Sequence, residues 1–230
     1  TIARIALEHL GKYAVESVSK YMVKAWEDDE LARLMLSLNG FQIRCVPIKI
    51  YKQHPEYRMI AVKNAGLAIC HIRDSEQTLE LAEAAVKQNG LAYQYIAKKF
   101  KSYEMAKRAV EQNGEAYPYL SDEYMAKGGL ELIKSALHSS TFEKVHRGID
   151  PDYRKNEELV LYAYQKSIER GEEKNERQKI WLWSDISLRS SLLKIKLAAL
   201  ETKPQQMRMW KDLQVKQGAF YCDLIIACVK

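Results

Sequence analysis

The chain has 230 residues, 47% of them hydrophobic, and a formal net charge of +6; that is enough apolar material for a substantial core and excludes a disordered tail. No apolar run approaches the ~20 residues that a membrane helix requires. The four cysteines, Cys45, Cys70, Cys222 and Cys228, show neither a Cys-x-x-Cys spacing nor a dense framework, so they read as thiols of a reducing, cytoplasmic compartment, with no zinc site expected.

With 10 Gly and 5 Pro in the whole chain and no alternating β-branched runs, helix is the expected state throughout. Residues 1–24 place Ile2, Ile5, Leu10, Tyr13, Val18 and Tyr21 three or more positions apart around Gly11. The polar Glu8, His9, Lys12 and Glu16 interrupt that pattern, which argues against a signal peptide. The start at Thr1 reads as a processed chain or an excised fragment. Asp28 or Asp29 is expected to cap the next helix, which carries Leu31, Leu34, Met35 and Leu38 into Asn39–Gly40.

Two stretches then repeat each other. Ala85-Val86-Lys87-Gln88-Asn89-Gly90-Leu91-Ala92-Tyr93-Gln94-Tyr95-Ile96 recurs 24 residues later as Ala109-Val110-Glu111-Gln112-Asn113-Gly114-Glu115-Ala116-Tyr117-Pro118-Tyr119-Leu120. A third copy runs from Ile60 to Ile72 behind His54-Pro55-Glu56, and Gly11, Gly40, Gly66, Gly90 and Gly114 are spaced by 29, 26, 24 and 24. Periods of this size signal short helix-turn-helix repeats that bury their apolar faces only by stacking, here into a solenoid-like superhelical array. Thr78 or Ser75 and then Ser102 are expected to cap the first helices of the two clearest copies. Asn–Gly after each helix predicts a left-handed C-terminal cap at the glycine. Leu91, Ala92, Tyr95 and Ile96, at one, two, five and six past the glycine, are expected on the buried face of the shorter helix, and Ala68, Ala92 and Ala116 where helices approach closely.

The pattern then blurs: the helix from Leu130 to Leu137 ends at Ser139–Ser140 where Asn–Gly would stand, and Leu159, Tyr162 and Ala163 open a further copy. Residues 169–179 carry no apolar side chain and read as a charged linker or loop, bounded as 169–180, between a repeat array over 1–168 and a helical section over 181–230. In that last section Asp185 is expected to cap an amphipathic helix with Leu193, Leu197 and Leu200, and residues 214–224 echo the repeat.

The two copies at 85–96 and 109–120 resemble the short tandem repeats catalogued as "domain of unknown function 4116". The resemblance is fair over 60–72 and weak over 31–46 and 213–224. Such repeats occur in bacteria, including intracellular ones that export effectors, and in large viruses; the resemblance implies no catalytic residues.

Chemistry-bearing motifs are sparse. There is no Gly-x-Gly-x-x-Gly or Gly-x-x-x-x-Gly-Lys loop, and no Gly-x-Ser-x-Gly elbow. The histidines His9, His54, His71, His138 and His146 never fall at the spacing that puts two imidazoles on one helix face, so no metal is expected. His71-Ile72-Arg73-Asp74 only superficially resembles a kinase catalytic loop. No catalytic residue and no cofactor is therefore assigned. Trp181 and Trp183 point to different sides of a helix, which leaves one available as a contact for a partner. Between Ile186 and Lys230 eight cations face three acids, and Arg189, Lys196 and Lys203 recur every seven residues as a candidate polyanion-binding face. The expected function is a non-catalytic binding module for a protein partner, part of an exported bacterial effector and then located in host cytoplasm. The alternatives are nucleic-acid or other polyanion binding through the basic C-terminal helices, and an enzyme whose site lies at residues 146–152.

Overall fold

The computed structural model describes residues 2–11, 13, 15–16, 18, 23–171, 180 and 184. Among them the fold is all-helical, built of many short α-helices and 3-10 helices with no strand. The chain divides into two compact units, residues 1–140 and 141–230. Trp181, Trp183, Arg189, Lys196 and Lys203 lie outside the described residues, as does most of the charged segment 172–179.

The first unit opens with the helix Ile2–Leu10 and is then dominated by four pairs, each an α-helix followed by a six-residue 3-10 helix. The pairs are Asp29–Leu38 with Gly40–Cys45, Glu56–Asn64 with Gly66–His71, Leu79–Gln88 with Gly90–Tyr95, and Tyr103–Gln112 with Gly114–Tyr119. A short helix, Ile48–Gln53, is inserted between the first two pairs.

Three of the four α-helices of these pairs start where a side chain supplies a missing acceptor, whereas Glu56–Asn64 starts behind Pro55 without a side-chain cap. The side chains of Asp28, Thr78 and Ser102 accept from the amides of Leu31, Leu81 and Met105 at 3.1, 3.2 and 3.2 Å, each cap contributing on the order of 1 kcal/mol. The inward residues then fall at helical spacing: Leu31, Ala32, Met35 and Leu36 in the first pair, Leu81, Ala82, Ala85 and Val86 in the third, Met105, Ala106, Ala109 and Val110 in the fourth.

The helix ends differ from the left-handed cap read in the sequence. Asn39, Asn89 and Asn113 are extended, with φ near −150°, and Gly40, Gly66, Gly90 and Gly114 are absent from the positive-φ residues. Each asparagine closes one helix and opens the next. Its backbone N–H donates back into the α-helix, its carbonyl accepts from the third residue on, and its Oδ1 accepts from the amide two residues on, at 3.0 Å for Leu91 and Glu115. The 3-10 helix starts there.

Glycine is required for a different reason. A Cβ at Gly40, Gly66, Gly90 or Gly114 would lie under 3.0 Å from the carbonyl oxygen of Ala61, Ala85, Ala109 or Ala136 respectively, on the α-helix of the next pair or, for Gly114, on Asp122–Ser139. The backbones of successive pairs touch at the glycine, and only a residue without Cβ fits there.

The buried face of the short helix is also rotated from the expectation. Ala92, Tyr93 and Ile96 are buried, Leu91 is half-buried and Tyr95 is exposed. With three residues per turn rather than 3.6, side chains three apart eclipse, so Gly90, Tyr93 and Ile96 face inward together, as do Gly66, Ile69 and Ile72. Ala68, Ala92 and Ala116 are fully buried as expected.

The helix Asp122–Ser139 completes the first unit. It breaks at Gly129 (φ 48°, ψ −140°), and Leu132, Ile133, Ala136 and Leu137 beyond the break are buried. In the second unit, Phe142–Val145 and the 3-10 helices His146–Gly148 and Pro151–Lys155 lead into Glu157–Glu169, which Asn156 caps by accepting from Leu159 N at 2.9 Å. Leu159, Val160, Ala163 and Tyr164 of that helix are buried.

Candidate functional site

Three places in the described residues bring polar or aromatic side chains together. The first is the loop 146–152, the place of the enzyme alternative. His146 stacks on Phe142 with ring centroids 5.3 Å apart, and its Nδ1 lies 2.7 Å from the carbonyl of Glu143. Asp150 accepts from the amide of Asp152 at 2.9 Å, and Arg147, Asp150 and Asp152 are exposed. These side chains shape a turn and cap a 3-10 helix; their polar atoms do not converge on a common point.

The second is a cluster that spacing along one helix does not reveal. Asp29, His54 and Glu56 offer one donor atom each, all within 4.8 Å of one another, because the first two pairs pack side by side. Arg33 occupies the position of a cation: its Nε is 2.8 Å from Asp29 Oδ2 and its Nη2 2.7 Å from Glu56 Oε1. The buried Tyr57 donates its hydroxyl to Asp29 Oδ1 at 2.8 Å, and the His54 ring stacks on Tyr57 at 4.8 Å. The hydrogen bonds from Arg33 and Tyr57 hold the Asp29 carboxyl below its ordinary range. Burial, and then the Asp29 carboxylate, push the Tyr57 phenol up. The two carboxylates already share one guanidinium, so the cluster fastens the first two pairs together.

The third is the outer edge of the 3-10 helices. The fifth residue after each glycine is Cys45, His71, Tyr95 or Tyr119, and all four are exposed. Phe41, one past its glycine, is exposed as well, and its ring meets that of His71 edge-on at 6.2 Å, joining the first pair to the second. Across the four 3-10 helices the charged side chains are Arg44 and Glu115, with His71 the one imidazole. Burial, and then the nearby Arg44, lower the pKa of His71, so near neutral pH its ring is an uncharged aromatic. Cys45 and Cys70 on this edge are free thiols.

The exposed surface of the α-helices carries many charges, among them Glu80, Glu83, Lys87, Arg108 and Glu111. Between the third and fourth pairs it forms an open groove of about 660 Å³ with Ala84, Val86 and Met105 on its floor and Glu80, Lys87 and Glu111 among its rim. Arg108 and Glu83 pair across it at 3.8 Å.

What sets the register of this edge is a side-chain amide. Gln88 Oε1 accepts from Gly66 N at 2.6 Å while its Nε2 donates to Asn64 O at 3.1 Å. Gln112 makes the same two bonds to Gly90 N and Gln88 O. Asn64 makes the equivalent bonds to Gly40 N and Ser37 O. Ser139, in the corresponding place on the last helix, donates its hydroxyl to Val110 O at 2.9 Å. The amides of Gly40, Gly66 and Gly90 are thus each held by a side chain at the end of the next pair's α-helix.

Residues 78–125 match the profile of a family described as "Domain of unknown function (DUF4116)". The stretch begins at Thr78, the cap of the third pair, and ends just beyond the fourth, so these two pairs are similar to that family. No curated protein and no solved structure matches the chain. Among the described residues no helix is long and apolar enough to cross a membrane.

Proposed function

We propose that this chain is a non-catalytic helical-repeat module that binds a protein partner, its pairs stacking as tandem repeats of a solenoid. The observation that carries the reading is the edge of exposed Phe41, His71, Tyr95 and Tyr119 on successive 3-10 helices, poor in charge and rich in rings. That is the composition of an interface core, where aromatic residues are enriched and Lys and Glu depleted. The division of labour fits a repeat array: glycine, alanine and the amide hold the stacking, while the exposed fifth position varies from Cys45 to His71, Tyr95 and Tyr119.

The test compares the wild-type chain with Phe41→Ser/Tyr95→Ser/Tyr119→Ser in affinity capture from nuclease-treated lysate, followed by titration with the purified partner. A discrete protein that binds the wild type and loses at least tenfold in affinity for the variant, with the helical signal and melting temperature kept, supports the reading. Capture dependent on nucleic acid, and abolished by Arg189→Glu/Lys196→Glu/Lys203→Glu, would replace it with polyanion binding through the C-terminal basic residues.

A further inference from the structure

The segment between the fourth pair and the last helix of the first unit is held unlike the rest. From Ser121 to Glu131 no residue is fully buried, although residues 122–128 are helical. The continuation over 130–139 is anchored by four buried side chains, and the two pieces are separated by Gly129 at φ 48°, ψ −140°, with Gly128 before it. That backbone region is essentially closed to other residues.

The 122–128 piece rests on the chain beneath through a few contacts of modest strength. The Tyr124 ring meets Tyr103 edge-on at 6.2 Å, its hydroxyl donates to Lys101 O at 3.2 Å, and Lys127 Nζ lies 4.4 Å from the Tyr103 ring centre. Under them Lys101 Nζ sits 4.7 Å from the centre of the Tyr93 ring. The Tyr93 hydroxyl is buried and has no hydrogen-bond partner, so opening to water would satisfy a group that closure leaves unsatisfied.

We infer that residues 122–128 form a flap, hinged at Gly128–Gly129, which opens while the four pairs and the 130–139 helix stay folded, uncovering Lys101 and its contact with Tyr93. The stretch has the features of a low-stability opening segment: few buried apolar contacts at its tip and a glycine hinge at its base. The open state would fully present an ammonium group beside a phenol, a surface that the closed state leaves half-covered.

Hydrogen exchange of the full chain tests this, in the wild type and in Tyr124→Ala and Tyr124→Phe, at zero and low urea. The amides of 125–128 are expected to exchange through an opening that low urea leaves unchanged, whereas those of 132–139 slow and follow global unfolding. Tyr124→Ala should speed the 125–128 amides by about tenfold or more, leave 132–139 and 105–112 unaltered, and raise the rate of acylation of Lys101 by the same factor. Tyr124→Phe, which keeps the ring and loses the hydroxyl, should fall between. Exchange of 125–128 at the same rate and with the same urea dependence as 132–139 in the wild type would overturn the flap, as would equal acceleration of both stretches in Tyr124→Ala.

Discussion

Gly90→Ala isolates the reason that glycine follows each helix. The Cβ it adds would overlap the carbonyl oxygen of Ala109 and press on Gln112 Oε1 at 3.0 Å. The third and fourth pairs must separate to admit it, which is overpacking against backbone, at a cost of about 1–3 kcal/mol. Separation also strains the bond from Gly90 N to Gln112, about 1 kcal/mol more. The sum is about 2–4 kcal/mol, a drop in the urea midpoint of roughly 1–2 M for an ordinary slope. Gly90→Asn separates the two explanations. A left-handed cap would tolerate asparagine better than alanine, whereas a close approach penalises both, asparagine at least as much. Gly11→Ala serves as a reference: φ there is +53° and a Cβ meets nothing within 4 Å, so its cost is conformational only, roughly 1–2 kcal/mol. Equilibrium urea unfolding followed by far-ultraviolet dichroism reads all three. A Gly90→Ala midpoint unchanged within error, or Gly90→Asn more stable than Gly90→Ala, would refute the close-approach argument.

The amide clasp gives a second test. Gln88→Ala leaves the Gly66 amide without its acceptor and should cost about 1–2 kcal/mol in the same assay, and Gln88→Glu, which keeps the acceptor but turns a charge on Asn64 O, should fall between it and the wild type. Tyr93→Phe removes a buried hydroxyl with no partner and should leave stability unchanged or raise it by up to about 1 kcal/mol; a loss of that size would show that the hydroxyl is bonded. The Tyr93 phenol is pushed from 10.0 up to about 12, mainly by burial, so its protonated form is favoured by folding. Its contribution is fully present below pH 10 and is lost as pH rises through about 12. Alkaline unfolding monitored by fluorescence should therefore be shallower over that window in Tyr93→Phe than in the wild type.

Much of the local structure was legible in the residues themselves. The caps fall on Asp28, Thr78 and Ser102 because a short polar side chain before an apolar period has little other use. The recurrence of Gln-Asn-Gly at 88–90 and 112–114 also held a signal that spacing alone did not decode. The asparagine reads equally well as the end of one helix and the start of another, and the glutamine before it looks like an ordinary surface residue until its partner 22 residues earlier in the chain is known.

The cluster of Asp29, Arg33, His54, Glu56 and Tyr57 was invisible for a related reason. Periodicity groups residues that share a helix, and these come from the first two pairs and from His54 at the end of the helix inserted between them, whose contact no local rule specifies. The sequence reading turns Tyr95 inward because it follows an α-helical period, and the competing 3-10 geometry turns it outward.

By itself, then, the sequence determined that the described residues are helical, where the capped helices behind Asp28, Thr78 and Ser102 begin, and that a 24-residue phrase recurs, since these follow from propensity, capping and period along the chain. The tertiary structure decided why glycine stands at each junction, which rings face solvent and which charges meet. Those depend on a carbonyl, an amide or a guanidinium supplied by the neighbouring pair, and no residue carries that information until the pairs are packed against one another.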